Sequence, residues 1–129
     1  MPHFIIEYSG NLEPDIDVAA LCQTLRATAV AIDTFPMPGV RVRATRVDHY
    51  AIADGNPQHG FIDVSIRLRG GRPLDIKKAA TEEIFDALTL FLMPVMQRRS
   101  IALSLEMRDI DPALSPKIST IRKHLEAGT

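Results

Sequence analysis

Two kinds of residue in this chain are suited to chemistry: a proline at its start and an unusual share of arginines. In MPHFIIEYSG, Pro2 stands directly behind the first methionine. Methionine is commonly removed when the next residue is small, and proline permits removal. Pro2 would then carry a secondary amine on a rigid ring, able to act as a base or a nucleophile. The plainer alternative is structural, because a strand accepts proline at its first residue, where no ladder hydrogen bond need be donated. The cations are mostly arginine, with only four lysines, Lys77, Lys78, Lys117 and Lys123. Arginine holds carboxylates in a fixed two-pronged geometry that lysine cannot match.

Other chemistries find little support. His3, His49, His59 and His124 show no metal-ligand spacing, and with one cysteine a structural zinc site is not expected. Cys22 falls on the apolar stripe of a helical segment, the place of a buried core thiol rather than a nucleophile. Neither GxGxxG nor a P-loop occurs. The RGG within RLRGGRP is a weak signal, and a loop carrying arginines to a ligand explains it as well as RNA binding does.

The 129 residues argue for one domain, residues 1–129, around one core. With 46% hydrophobic and 24% charged residues the balance is globular, and a net charge of −1 does not favour nucleic acid. No apolar run reaches the ~18 residues of a membrane span. The first residues lack the regions of a signal peptide. A single cysteine makes no internal disulfide, so a cytoplasmic setting is expected.

The elements that must position Pro2 and the arginines follow from periodicity. HFIIEY reads as a strand, with Phe4, Ile6 and Tyr8 on one face. SGNLEP is turn chemistry. Pro14 suits a helix start, with Asp15 and Asp17 at the positive end of its dipole. Val18, Leu21, Cys22, Leu25, Ala29 and Ile32 follow helical spacing until TFPMPG stops them. VRVRATRVDHYAI reads as a second strand, with Arg41 and Arg43 on one face and Val40 and Val42 on the other. ADGNPQHG is a turn-rich connection. FIDVSIRL is the third strand, with Ile62, Val64, Ile66 and Leu68 toward the core. After the RGGRP loop, a second helical stripe runs from Ile76 to Val95, and Pro94 should kink or end it. SIALSLEM is the fourth strand, and Ser115 and Pro116 look like the cap and first position of a short C-terminal helix. The order is βαββαβ. Right-handed crossovers put both helices on one sheet face, leaving a mixed face with Glu7, Arg41, Arg43, Asp63 and Arg67 that periodicity alone assigns neither to solvent nor to an oligomer interior.

PHFIIEYS, FPMPGVRVR, VDHYAIADG, RGGRPLD and ALSLEM together resemble the 5-carboxymethyl-2-hydroxymuconate Δ-isomerase family, in the tautomerase superfamily with 4-oxalocrotonate tautomerase and macrophage migration inhibitory factor. The resemblance runs from Pro2 to about Met107. It implies an α+β tautomerase fold, with two βαβ units forming a four-stranded mixed sheet under two helices, and a homotrimer whose sheets face inward. It implies Pro2 as catalytic base and Arg41 and Arg72 as substrate-binding residues, by their positions in PGVRVR and GGRPL. Arg43, two residues from Arg41 on the same side, is a weaker candidate, equally suited to pairing with an interior acid. The implied reaction moves a double bond by proton transfer in a multiply carboxylated hydroxymuconate from homoprotocatechuate breakdown, with no metal or redox cofactor. Two alternatives stand beside it: a tautomerase-fold protein acting on another enol or keto acid, and a non-enzymatic ferredoxin-like domain that binds a small molecule.

Overall fold

The computed structural model describes residues 1–127. Its strands are β1 (His3–Ser9), β2 (Arg41–Val47), β3 (His59–Arg69) and β4 (Ser100–Ile110). The helices are α1 (Val18–Val30), α2 (Leu74–Met96) and α3 (Ile121–Ala127). The sheet order is β2-β1-β3-β4, with β1 parallel to β2, β3 parallel to β4, and β1 antiparallel to β3. Each βαβ unit therefore keeps its two strands side by side. In a ferredoxin-like domain the βαβ units are split by an intervening strand, so this pairing overturns the ferredoxin-like alternative.

The core fills the space between the sheet and α1 and α2. Phe4, Ile6, Ile62, Val64, Ile66 and Leu68 are fully buried from the two central strands. They meet Leu21, Leu25 and Ala29 of α1 and Ile84, Leu88 and Leu92 of α2. Each of these side chains other than Ala29 contributes about 1.5–3 kcal/mol by leaving water. Phe35, from the connection after α1, closes one end edge-to-face on Phe4 at 5.1 Å. The inward residues of β4, Ile101 to Met107, are only half-buried, because β4 is an edge strand.

Three boundaries differ from those read in the sequence. Pro14 lies inside a 3₁₀ turn, Gly10–Asp15, and the first helix begins only at Val18. Asp17 caps it by accepting from the Ala20 amide at 3.0 Å, whereas Asp15 is drawn off to Arg98 and Arg99. The second strand stops at Val47, because its partner residue Ser9 is the last of β1 and the stretch from Asp48 has no ladder to join. The C-terminal helix starts at Ile121 rather than at Pro116. The Ser115 hydroxyl donates back to the Asp111 carbonyl at 2.7 Å and so closes a turn instead of capping a helix. Ser119 takes the capping place, accepting from the Ile121 amide. Pro94 sits in the last turn of α2 without ending it early.

The sheet face opposite the helices carries polar residues in rows set by register. Arg41, His3, Arg67 and Arg108 form the row nearest Pro2. The next row is Arg43, Ile5, Ser65 and Glu106. The helices α1 and α2 pack on the other face, and at the Pro2 end the segment after β4 lines a cavity with His3, Arg41 and Arg67 of this one.

Candidate active site

Pro2 is buried immediately before β1. Its carbonyl accepts from the Arg41 amide at 3.1 Å, so the start of β2 is clasped to it. The FPMPG stretch makes that possible. A 3₁₀ turn over Met37–Gly39 brings the chain round, and Gly39 lies so close that a Cβ there would stand 3.1 Å from Pro2 Cδ. The Pro2 nitrogen is an amide to Met1 in this chain, so the free amine beside it belongs to Met1. That amine is held below its ordinary pKa, first by burial and then by Lys117, Arg72 and Arg41.

Two cavities open at this end of the sheet and share Met1, Arg69, Lys117 and Ile118. The larger, about 550 Å³, adds His3, Arg41 and Arg67. The other, about 460 Å³, adds Pro2, Gly39, Arg72 and Arg122. Among the described residues no aspartate or glutamate lines either one. Elsewhere several cations are neutralised: Arg46 pairs with Glu13, Lys77 with Asp109, and Arg108 with Glu106. Among the described residues no carboxylate pairs with Arg41, Arg67, Arg69, Arg72, Lys117 or Arg122. Uncompensated like charges repel, so such a cluster is suited to receive a polyanion.

Of the residues that the resemblance singles out, Pro2 and Arg72 line one cavity and Arg41 the adjoining one. Arg72 is steadied by donating to the Arg69 carbonyl at 3.0 Å. Arg43 lines neither cavity and pairs with no acid among the described residues. Its Nη1 lies 3.1 Å from His3 Nδ1. Sequence reasoning missed Arg67, Arg69, Lys117 and Arg122 as lining residues. The outward alternation along β3 could have flagged Arg67. Nothing local in the sequence ties Lys117 or Arg122 to Pro2, because they return on the segment after β4. Cys22 packs half-buried against the core, where burial raises its thiol pKa and disfavours the reactive thiolate.

A second polar array lies at the far end of the sheet. His59 bridges Ser100 Oγ at 2.7 Å and Asp54 Oδ1 at 2.8 Å. It joins the first residues of β3 and β4 to the loop before β3. The neighbouring cavity is lined by that loop and does not include Ser100, so the array reads as a staple.

The family model described as 5-carboxymethyl-2-hydroxymuconate isomerase matches residues 2–125. The chain belongs to that family. It is 31% identical to the 5-carboxymethyl-2-hydroxymuconate Delta-isomerase of Escherichia coli over 94% of this chain and 96% of that protein. It is similar to the crystal structure of a 5-carboxymethyl-2-hydroxymuconate isomerase from Deinococcus radiodurans R1, with a TM-score of 0.89, 31% identity, and 96% and 93% of the two chains covered. A fused 4-OT wild-type symmetric trimer shares the fold alone, with a TM-score of 0.64 at 18% identity over 98% and 99% of the chains. The family is one of isomerases, and the fold is the tautomerase fold. Among the described residues no helix is long and apolar enough to cross a membrane.

Proposed function

We propose that the chain is a cofactor-independent isomerase that shifts a carbon–carbon double bond in a multiply carboxylated hydroxymuconate, with Pro2, freed of Met1, as the base. The observation that carries this reading is the unneutralised cation cluster around a buried N-terminal proline. Pro2 takes the proton of the 2-hydroxyl group, leaving a dienolate, and returns it to carbon at the far end of the conjugated system, giving a ketone with the double bond moved. Atoms and charge balance without a co-reactant. Arg41 and Arg72 hold carboxylates and stabilise the developing negative charge. Arg43 acts through His3 rather than on the substrate.

The base must be neutral to work. A ring amine is intrinsically more basic than an ordinary α-amino group, whose pKa is about 7.7–8.0. Burial and the nearby cations lower the pKa of the Met1 amine, and the same surroundings act on Pro2 once it is the terminus. Activity therefore falls on acidification, as the amine protonates. The polar sheet face turned away from α1 and α2 supports assembly as a homotrimer with sheets inward, and a cytoplasmic role in aromatic-acid catabolism fits the substrate.

The test is ultraviolet turnover of 5-carboxymethyl-2-hydroxymuconate by chain verified by mass to begin at Pro2. Arg72→Ala should lower kcat/KM on the order of 10–100-fold, the loss of a charge-assisted pair. Turnover of simple enols such as phenylenolpyruvate, with none of the hydroxymuconate, would move the assignment to another enol acid. Sedimentation equilibrium should give a trimer, and monomer alone at micromolar concentration would count against the assembly.

A further inference from the structure

We propose that Lys117, on the segment that follows β4, is a substrate-binding residue that takes the carboxylate left over by Arg41 and Arg72. The inference rests on the function proposed above and names a residue of that same site. A muconate carries two carboxylates at its ends, and a carboxymethyl arm adds a third. Arg41 lines one cavity and Arg72 the other. Lys117 lines both, where they meet beside the N-terminal residues. A substrate lying across the two cavities would present its remaining carboxylate at that junction.

An exposed lysine without a partner is usually a solvated surface charge. Two observations separate Lys117 from that case. The segment carrying it is tied to the loop before α2 at its start and folded on itself beyond. Gly70 donates to the Ile110 carbonyl at 3.0 Å, and within the segment the Asp111 side chain accepts from the Ala113 amide at 2.9 Å and Ser115 closes on Asp111. Pro112 and Pro116 stiffen it further. Lys117 is also held among cations, with Arg69 lining both cavities beside it. Repulsion there is relieved by an anion. Met1 and Lys117 line both cavities together, which places the ammonium near the reacting end of the chain, and the terminal amine is held below its ordinary pKa by burial and then by Lys117.

The test compares Lys117→Met, which keeps the stem without the charge, with Lys117→Arg. Lys117 is exposed, so neither change threatens folding. With the tricarboxylate substrate, Lys117→Met should raise KM about 10-fold or more, and Lys117→Arg should recover most of it. With the monocarboxylate phenylenolpyruvate the change in KM should stay within about 3-fold, because no third carboxylate is there to lose a partner. The acid limb of kcat/KM should move to higher pH in Lys117→Met, since one cation no longer opposes protonation of the amine. An unchanged KM for the tricarboxylate, or equal losses on both substrates, overturns the proposal. Calorimetric binding of tricarballylate keeps the two readings apart. If wild-type chain turns over neither substrate but binds tricarballylate, and Lys117→Met weakens that binding about 10-fold, the isomerase reading falls and the carboxylate site stands. Equal binding by both overturns the carboxylate site, and no binding by wild type overturns both.

Discussion

Arg43 Nη1 lies 3.1 Å from His3 Nδ1 across the β1–β2 pair, on the diagonal next to the Arg41–His3 register pair. A guanidinium only donates. His3 Nδ1 must therefore accept, and the imidazole proton sits on Nε2. Burial, then Arg67, Arg43 and Arg41, lower the His3 pKa to about 4 from 6.5. His3 is a neutral ring in a row of cations.

That depression has a consequence for stability. As pH drops from about 6.5 to about 4, the unfolded chain takes up a proton on His3 that the folded chain refuses. Stability therefore falls with pH across this window and is level above it, as far as His3 is concerned. His3→Gln should lose less stability than wild type between about pH 7 and about pH 4.5, read from urea midpoints at each pH. Equal losses would mean that His3 is not the group that resists protonation.

Gly60 marks the opposite end of the sheet. A Cβ there would stand 2.7 Å from Leu12 Cδ2 and 2.8 Å from Leu12 Cγ. Leu12 is fully buried and has no room to retreat. Gly60→Ala should cost about 1–3 kcal/mol by overpacking. The urea midpoint should drop at constant slope, with turnover per folded molecule unchanged, since Gly60 is far along β3 from the Arg67–His3 pair. A midpoint equal to wild type would show that Leu12 yields.

Gly39→Ala should do the reverse. The added Cβ would press on Pro2 Cδ at 3.1 Å, moving the ring by a few tenths of an ångström. Gly39 has no positive φ, so the backbone accepts alanine. Stability should change by no more than about 0.4–1 kcal/mol. Turnover should fall roughly 10-fold, given that a 1 Å misplacement can cost 10²-fold. Full turnover with an unchanged melting curve would separate Gly39 from the positioning of Pro2.

The order of elements was legible because the alternation at Ile62, Val64, Ile66 and Leu68 and the helical spacing from Leu21 to Ala29 are local signals. The end of the second strand was not. VDHYAI has strand-like residues, but Val47 pairs with the last residue of β1, and only that pairing reveals the stop. The candidate site divides in the same way. Pro2, Arg41 and Arg72 lie in stretches with a recognisable pattern. Lys117 comes to line a cavity with Pro2 only because β4 runs beside β3 to Ile110 and the chain beyond it returns to the N-terminal end of β1. Nothing local in the sequence reports that approach.

The most direct test of the base concerns one nitrogen. While Met1 is attached, the Pro2 nitrogen is part of a tertiary amide, its lone pair is delocalised into the carbonyl, and it takes no proton at neutral pH. The Met1 amine is close by and has a lowered pKa, so basicity alone does not disqualify it. Position does. It lies one residue beyond the ring that Gly39 and the Arg41 amide hold in place, and base catalysis depends on reach within hydrogen-bond distance of the proton removed. Met1-bearing chain should therefore fold with the same melting curve as chain beginning at Pro2 but turn over substrate at least about 100-fold more slowly, the scale of a lost general base. The two forms are separated and confirmed by intact mass, then compared on the same enol substrate. Equal turnover would transfer the base role to the Met1 amine or away from the terminus, and Pro2 would be left as the first residue of a strand.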